Sequence, residues 1–235
     1  WFNLWIESLA KYEFVQEDKE PCLYQYRKNG IICLLLLHVD NIIWACNDEQ
    51  WWLDTIKQWP FTITEVHGES ILGLHVERLS AHSIAFSQMF YIDEMIEEFG
   101  LQDKPGVHVP LRPGIEKRFI RANMTGRVDA KIPYRRLVMK LYWIARCYRL
   151  HLLYACNFLA RFCDCYNQDL FDEALHVVLY LKKTREWRLI FDVDPNAPIT
   201  LSFICDADFA GADDRTSTFG AIGYIQNCPI FWCIR

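Results

Sequence analysis

The sequence has no long apolar run. None of its hydrophobic stretches reaches the roughly 18 residues that a membrane-spanning helix needs, and its start lacks a basic segment followed by an apolar one. We therefore expect an intracellular, cytoplasmic protein that is not secreted and has no membrane partner. With 52% hydrophobic and 15% aromatic residues among 235, the chain can bury a core in one large or two small domains.

Common catalytic and metal-binding motifs are also missing. The sequence has no Gly-x-Ser-x-Gly, no Gly-x-x-x-x-Gly-Lys and no His-Glu-x-x-His, which excludes the usual hydrolase elbow, phosphate-binding loop and zinc helix. Its ten cysteines form no Cys-x-x-Cys pair, and Cys163 and Cys165 are too close together for a regular zinc site. We expect reduced thiols, mostly in the core.

The chain has no excess of positive charge. It contains 25 Lys and Arg and 30 Asp and Glu, which gives a formal net charge of −5. Proteins that bind nucleic acid unaided normally gather Lys and Arg to displace phosphate counterions. One segment is nevertheless basic, and it contains Arg112, Lys117, Arg118, Arg121, Arg127, Lys131, Arg135, Arg136 and Lys140. It is either a nucleic-acid contact or the solvated surface of a mobile linker.

A single carboxylate interrupts the most apolar part of the chain. Asp40 lies between the apolar runs 31–37 and 42–46, in the break His38-Val39-Asp40-Asn41. Asp and Asn tolerate the left-handed backbone of tight hairpins, so the pattern predicts two buried strands joined by a turn that presents Asp40. Such a turn suits a metal-binding catalytic acid. The alternative is an ordinary hairpin whose residues serve the turn alone.

Hydrophobic periodicity predicts the other elements. Apolar spacing of three and four residues predicts an N-terminal helix and further helices at 51–58, 89–99, 134–147, 150–163 and 169–184. Alternating or short apolar runs predict strands at 63–66, 71–76, 187–193, 199–205 and 219–227. Four prolines within 103–133 indicate a linker and an internal boundary. The order of a mixed sheet, a helical middle and a second sheet predicts an α+β protein.

These blocks, in this order and over nearly the whole chain, resemble the polymerase of copia-type LTR retrotransposon Pol polyproteins. The hairpin is similar to the aromatic-x-Asp-Asp motif of reverse transcriptases, ILGLHVER to the Leu-Gly primer grip, and DADFAGADDRTSTFGAIGYI to the opening strands of the copia RNase H domain. The resemblance implies the C-terminal part of the palm at 1–79, a mostly helical thumb and connection at 80–195, and the N-terminal part of an RNase H-like domain at 196–235.

The resemblance also implies an activity. The complete protein would be an RNA-directed DNA polymerase with RNase H, working by two-metal nucleotidyl transfer with Mg²⁺ or Mn²⁺. Its implied partners are an RNA template, a DNA primer, deoxynucleoside triphosphates and the rest of the Pol polyprotein, within a cytoplasmic virus-like particle.

The implied site residues follow the motifs. Asp40 matches the first hairpin acid, a catalytic metal ligand, and Asn41 stands at the second catalytic position. Leu72 and Gly73 match the primer grip. The thumb residues implied to contact nucleic acid are Arg112, Lys117, Arg118, Arg135 and Arg136.

For RNase H, Asp206 is the implied catalytic and metal-binding acid. Asp208 is the alternative, since alternate residues of a strand share a face. We expect the remaining RNase H acids beyond Arg235 and the first palm acid before Trp1.

Several positions depart from the copia pattern. Asn41 replaces an acid, His38 a tyrosine and Met139 a glycine, while His151 and Leu150 replace the Asp and Pro of Arg-Pro-Asp. Because the apolar periodicity survives these changes, a second hypothesis stays open. The chain would then be a catalytically inactive, decayed or repurposed fragment that at most binds nucleic acid or protein through residues 112–140.

Overall fold

The computed structural model describes residues 2–39, 41–63, 70, 71, 73–124, 128, 130–211 and 215–235, with the backbone alone at 2, 3, 70 and 122. In these residues the structure is α+β, with seven α-helices and three small antiparallel sheets. The predicted fold class is thus confirmed. The chain divides into two compact units, Trp1–His67 and Gly68–Arg235.

The first unit contains a four-stranded sheet with the order β1-β2-β3-β4. Its elements are α1 (Phe2–Lys11), β1 (Val15–Glu17), β2 (Glu20–Lys28), β3 (Ile31–His38), β4 (Asn41–Cys46) and α2 (Glu49–Ile56). The predicted N-terminal helix and hairpin strands are confirmed. Helix α2 begins before the predicted residue 51 because the Asp48 side chain caps it, accepting a hydrogen bond from the Trp51 N–H at 2.9 Å.

The core of this unit is aromatic. Trp5, Trp52 and Trp59 are buried and stack edge to face. Burial alternates along β3, where Cys33, Leu35 and Leu37 point inward, and β4 alternates between exposed and half-buried residues. The prediction of two fully buried strands was therefore wrong, since one face of this antiparallel hairpin is open to solvent.

The second unit contains a helical core between two sheets. Its elements are β5 (Ser70–Ile71), β6 (Leu74–Arg78), β7 (Ser83–Ser87), α3 (Met89–Glu98), α4 (Ile115–Arg118), α5 (Tyr134–Cys147), α6 (Leu153–Ala160), α7 (Gln168–Lys183), β8 (Leu189–Asp192), β9 (Leu201–Asp208), β10 (Thr218–Ile225) and β11 (Cys228–Ile234). Single 3₁₀ turns precede α5 and α6, at Arg121–Asn123 and Leu150–Leu152. The predicted helices α3, α5, α6 and α7 are confirmed, and they pack through fully buried Leu, Ile and Val side chains.

Strand predictions in this unit need three corrections. The predicted strand 71–76 is two short strands, because Ile71 pairs with Leu74 and the chain reverses between them. Strand β8 pairs with β7 in the sheet β5-β6-β7-β8, whereas we grouped it with β9. Strands β7 and β11 were missed. The predicted strand 63–66 falls mostly outside the described residues.

The proline-rich segment 103–133 is not a simple linker. Ile115 and Phe119 in it are buried, and the Val107 N–H donates to the Leu179 carbonyl of α7 at 3.2 Å. Apolar side chains four residues apart give this segment an inward face, so it packs into the core of the second unit. The functional division at 79 and 195 stays a prediction.

Among the described helices, none combines the length and apolar character that crossing a bilayer requires.

Candidate functional site

The hairpin predicted to carry catalysis has a two-residue turn. His38 and Asn41 are cross-strand partners, and Asp40 lies outside the described residues. Val39 has φ 57° and is 78% exposed. The left-handed backbone thus falls on a β-branched residue, where it costs about 1–2 kcal/mol, and not on Asn41, which begins β4.

The predicted primer grip is at the β5–β6 reversal. Leu72 lies outside the part of the chain that the structure describes. Gly73 has φ +78°, a conformation that glycine adopts without steric cost. The turn explains why this residue is a glycine. Its contact with a primer stays a prediction.

Two of the predicted nucleic-acid contacts converge on one buried carboxylate. The guanidinium groups of Arg112 and Arg118 lie 2.5 and 2.9 Å from Oε1 of Glu173 on α7. The Glu173 side chain is 0% exposed, whereas the arginine side chains are 46% and 50% exposed. These arginines therefore fasten the proline-rich segment to α7, and part of their charge is compensated within the chain.

Two of the remaining predicted contacts, Arg135 and Arg136, also have protein partners. Arg136 pairs with Glu98 at 2.9 Å, and Lys140 pairs with the same carboxylate at 2.5 Å. Arg135 donates through Nε to the Cys163 carbonyl at 2.6 Å. Lys117 lines the cleft described next. Because acids neutralise several of these cations, the positive field of residues 112–140 is weaker than their number suggests.

Asp206 and Asp208 lie on the edge strand β9 of the sheet β11-β10-β9. On β11, Trp232 and Ile234 pack against the helical core, and Trp232 Nε1–H donates to the Ala145 carbonyl at 3.1 Å. The register aligns Asp206 with Gly220 and Gly220 with Ile234. Since directly paired residues share a face, both carboxylates lie on the side of the sheet that packs against the helices.

These carboxylates line a cleft of about 600 Å³ between β9–β10 and the helices. Its other polar lining residues are Glu116, Lys117, Tyr154, Asn157, Arg161 and Thr218. The Tyr154 hydroxyl donates to Glu116 Oε1 at 3.0 Å. Burial, and then the Glu116 carboxylate, raise the pKa of Tyr154, so this phenol stays protonated at neutral pH.

Within the cleft the two aspartates differ. Asp206 Oδ1 accepts the Ala207 N–H at 2.9 Å. The Asp208 carboxylate lies directly over Gly211, where even a methyl group would overlap it. Both are exposed, and the Asp208 carboxylate in addition lies close to Gly211 of the following loop.

The donor chemistry of the cleft suits Mg²⁺, which prefers carboxylate oxygens. Asp206 and Asp208 supply two carboxylates on one strand face. Over the described ranges, no group of three or more His, Cys, Asp or Glu side chains is arranged to hold a metal ion. The fit to a cation therefore rests on these two side chains.

Comparison with known proteins finds distant relatives of this chain. No family model matches the chain, and no solved structure matches it. It is 24% identical, over 99% of its length, to the retrovirus-related Pol polyprotein from transposon TNT 1-94 of Nicotiana tabacum. The corresponding proteins from transposons RE2 and RE1 of Arabidopsis thaliana are each 25% identical to it, over 93% and 97% of the chain.

The chain spans 18%, 15% and 16% of the lengths of these three relatives. Over nearly its whole length, it is therefore distantly similar to a part of the retrovirus-related Pol polyproteins of transposons.

Proposed function

We propose that this chain is a segment of a retrotransposon Pol polyprotein that runs from the reverse transcriptase palm through the thumb into RNase H. In the complete polyprotein it would take part in RNA-directed DNA synthesis. The observation that carries this proposal is the similarity to Pol polyproteins over 99% of the chain, with the sequence blocks of a polymerase in their order.

The β3–β4 hairpin is the proposed polymerase element. When bound, Mg²⁺ or Mn²⁺ would activate the attacking hydroxyl and stabilise the triphosphate. Asp40 would hold the cation, with Asn41 as a neutral oxygen donor beside it. Losing one unit of negative charge about 4 Å from the cation costs roughly 4 kcal/mol at an effective dielectric near 20. That corresponds to about a thousandfold in rate if fully expressed in the transition state.

The β9–β11 sheet is the proposed start of RNase H. Every residue of β9 is exposed, and among the described strands its outer edge is unpaired in the sheet order β11-β10-β9. An exposed apolar edge strand is unusual in a finished sheet, which supports a further strand of the polyprotein pairing with β9. Asp206 would then lie inside a larger sheet, next to the cleft, as the first catalytic acid.

Primer extension tests the polymerase part. The chain, joined to its flanking coding sequence, would be assayed on an RNA template with Mg²⁺ or Mn²⁺, beside the variants Asp40→Ala and Asn41→Asp. We expect no synthesis by Asp40→Ala, and synthesis increased by up to about a thousandfold by Asn41→Asp. If neither the unchanged protein nor the Asn41→Asp variant extends a primer although both are folded, the polymerase proposal is wrong.

Hydrolysis of the RNA strand in an RNA–DNA hybrid tests the RNase H part in the same protein. Asp206→Asn is expected to abolish cleavage and Asp208→Asn to reduce it. Cleavage that survives Asp206→Asn but not Asp208→Asn would transfer the catalytic role to Asp208.

One feature favours the inactive fragment as a second candidate. Arg149 is 2% exposed and donates through Nη2 to the Thr184 carbonyl, whereas its Nε and Nη1 have no hydrogen-bond partner among the described residues. The copia pattern has Asp where His151 stands. A missing carboxylate beside a buried guanidinium is the kind of change that accumulates when selection on a protein relaxes, because burying an unpaired charge is costly.

A further inference from the structure

Two cysteines face each other across the β3–β4 hairpin. Cys33 and Cys46 are cross-strand partners in the antiparallel register, so their side chains share a face of the sheet. That face is the inward one, where Cys33 is fully buried and Cys46 is half-buried against the aromatic core. Among the paired residues of the described strands, no other two cysteines are partners.

The backbone hydrogen bonds next to this pair define its geometry. The Asn47 N–H donates to the Ile32 carbonyl at 3.1 Å, so these two residues form a hydrogen-bonded position of the ladder. Because such positions alternate with non-hydrogen-bonded ones, Cys33 and Cys46 occupy a non-hydrogen-bonded position, where opposing Cα atoms are about 4.5 Å apart. Disulfides span Cα separations of about 4.4–6.8 Å. The two sulfurs can therefore be joined with little movement of the strands.

Asn47 fixes the two strands at this end of the hairpin. Its Oδ1 accepts the Ile32 N–H at 2.8 Å, and its Nδ2 donates to the Gly30 carbonyl at 3.0 Å. These bonds set the register of β3 against β4 without a covalent link. The two thiols are therefore held opposite each other in the reduced chain.

The two thiols differ in their surroundings. Cys46 is half-buried, and its Sγ donates to the Asp48 carbonyl at 3.2 Å, at the solvent-exposed start of α2. Burial, and then the neighbouring Cys46 thiol, raise the pKa of Cys33, so this thiol stays protonated. Because the thiolate is the attacking species in thiol–disulfide exchange, we expect Cys46 to react first and Cys33 second.

We propose that Cys33 and Cys46 form a reversible disulfide by exchange with a small disulfide such as oxidised glutathione, and that this bond covalently fixes β3 to β4. The Cys46 thiolate attacks one sulfur of glutathione disulfide. The S–S bond of glutathione breaks, and the released thiolate takes up the proton that Cys46 gave to solvent. Cys33 then attacks the Cys46 sulfur, and the second glutathione leaves with the Cys33 proton. The two protein thiols lose two electrons, and glutathione disulfide is reduced to two molecules of glutathione.

Such a bond responds to the redox state of its surroundings. In a reducing compartment the pair stays a dithiol, the state predicted from the sequence, and it closes where oxidised glutathione accumulates. The closed ring contains the turn between β3 and β4, so oxidation acts on the hairpin predicted to carry the catalytic acid. The inference goes beyond the proposed function and does not rest on it, because the bond forms without template, primer or metal ion.

Peptide mapping of the full chain tests the proposal. The folded chain would be incubated with mixtures of reduced and oxidised glutathione, alkylated and digested with trypsin. Residues 29–57 contain no Lys or Arg before Lys57 and only two cysteines, Cys33 and Cys46, so one tryptic peptide reports the pair. We expect this peptide to be lighter by two hydrogen atoms, to resist alkylation and to return to the dithiol with dithiothreitol.

Variants test the order of the two steps. Cys33→Ser should leave Cys46 as a mixed disulfide with glutathione, whereas Cys46→Ser should leave the buried Cys33 unmodified. Cys22→Ser is the matched control, since Cys22 is exposed on the neighbouring strand β2, and it should not change the yield of the internal disulfide. Circular dichroism would establish that each variant is folded, and Cys33→Ala replaces Cys33→Ser if the latter is not.

Hydrogen exchange measures the effect of the bond on the hairpin. Closing a loop of about 15 residues disfavours the unfolded chain by a factor on the order of a hundred. Amides of β3 and β4 that exchange only by unfolding should therefore exchange more slowly by about that factor in the oxidised chain. Unchanged exchange rates in a fully oxidised chain would show that the bond does not fix the strands.

Three outcomes of peptide mapping would overturn the disulfide itself. The first is that both cysteines are still alkylated as free thiols after oxidation. The second is that glutathione stays on Cys46 without closure to Cys33. The third is an equal yield of the internal disulfide in a chain unfolded by urea, because the fold would then not be what brings the two thiols together.

Discussion

The most consequential single residue outside the candidate site is Glu173. It is a fully buried carboxylate held by two half-exposed arginines, and its second oxygen, Oε2, has no hydrogen-bond partner in the described part of the chain. An ion pair of this kind need not add net stability, but removing one partner leaves the other charged and buried. Here removing the arginines is the destabilising change, because Glu173 is the only fully buried member of these ion pairs.

We therefore expect the double variant Arg112→Gln/Arg118→Gln to lose about 3–5 kcal/mol of unfolding free energy, measured by urea denaturation. Each single variant should lose clearly less, since the other arginine still faces Glu173. Adding Glu173→Gln to the double variant should recover most of the loss. A triple variant as unstable as the double variant would show that the cations act through packing and not through the buried charge.

The lowered pKa values of two histidines indicate how the stability of the fold depends on pH. Burial, and then Arg112, lower the pKa of His176, and burial, and then Arg149, lower that of His151. The unfolded chain, with a pKa of about 6.5 for histidine, binds more protons than the folded chain below that pH. Stability is therefore fully present above about pH 6.5 and is lost as the pH falls toward the folded-state values.

Urea midpoints measured between about pH 8 and pH 5, a range that brackets the ordinary pKa of histidine, should fall as the pH is lowered. Each histidine contributes at most about 1.4 kcal/mol per pH unit. His176→Gln should flatten this dependence, whereas His82→Gln, a change at an exposed residue before β7, should not. A dependence that is equally steep in His176→Gln would assign it to other groups.

The candidate site shows what single residues reveal in a sequence. Asp206 follows a strongly apolar run, which is a local signal, and its catalytic role stays a prediction from the resemblance. Glu116 and Tyr154 carry no such signal, since they meet the aspartates only after α4 and α6 pack near β9. Glu173 does carry a local signal, because it is an acid on the same helical face as Leu170, Ala174 and Val177.

At the scale of elements, the β5–β6 reversal depends on one glycine. Gly73 has φ +78°, and an L-residue in that region costs about 1–2 kcal/mol. Gly73→Ala should therefore lower the unfolding free energy by roughly that amount. Gly73→Asn should cost less, because asparagine visits this conformation more readily.

The Ala and Asn variants would be compared by urea denaturation. An added Cβ at Gly73 meets only the Gln88 side chain among the described residues, at 3.8 Å, so a loss of stability would report backbone strain and not a clash. Equal stability of Gly73→Ala and the unchanged chain would contradict the strained-turn explanation.

Helices and strands differed in how well the sequence predicted them. The period of α5 and α7 is contained within each segment, so their bounds agree closely with those predicted. Strand β8 pairs with β7 more than a hundred residues earlier, and β11 includes Pro229 and a register shift opposite Tyr224. Such pairing depends on the whole fold, which local patterns do not contain.

At the scale of the whole molecule, the uncovered face of the β9–β11 sheet determines behaviour in solution. Leu201 and Phe203 are 62% and 61% exposed, and Phe219 and Phe231 are 42% and 48% exposed. The register places them on the face opposite the helices. An apolar face beside an unpaired strand edge favours association between copies of a chain.

The isolated chain should therefore self-associate with rising concentration, as measured by light scattering after size exclusion and by sedimentation velocity. Phe203→Lys should shift it toward the monomer, because a charge on an edge strand opposes pairing. Phe90→Lys is the control, since Phe90 is 68% exposed on α3 and the substitution is identical. If both lysine variants reduce association equally, general charge repulsion explains the effect. If only Phe203→Lys does so, the open edge of β9 is the surface through which copies meet.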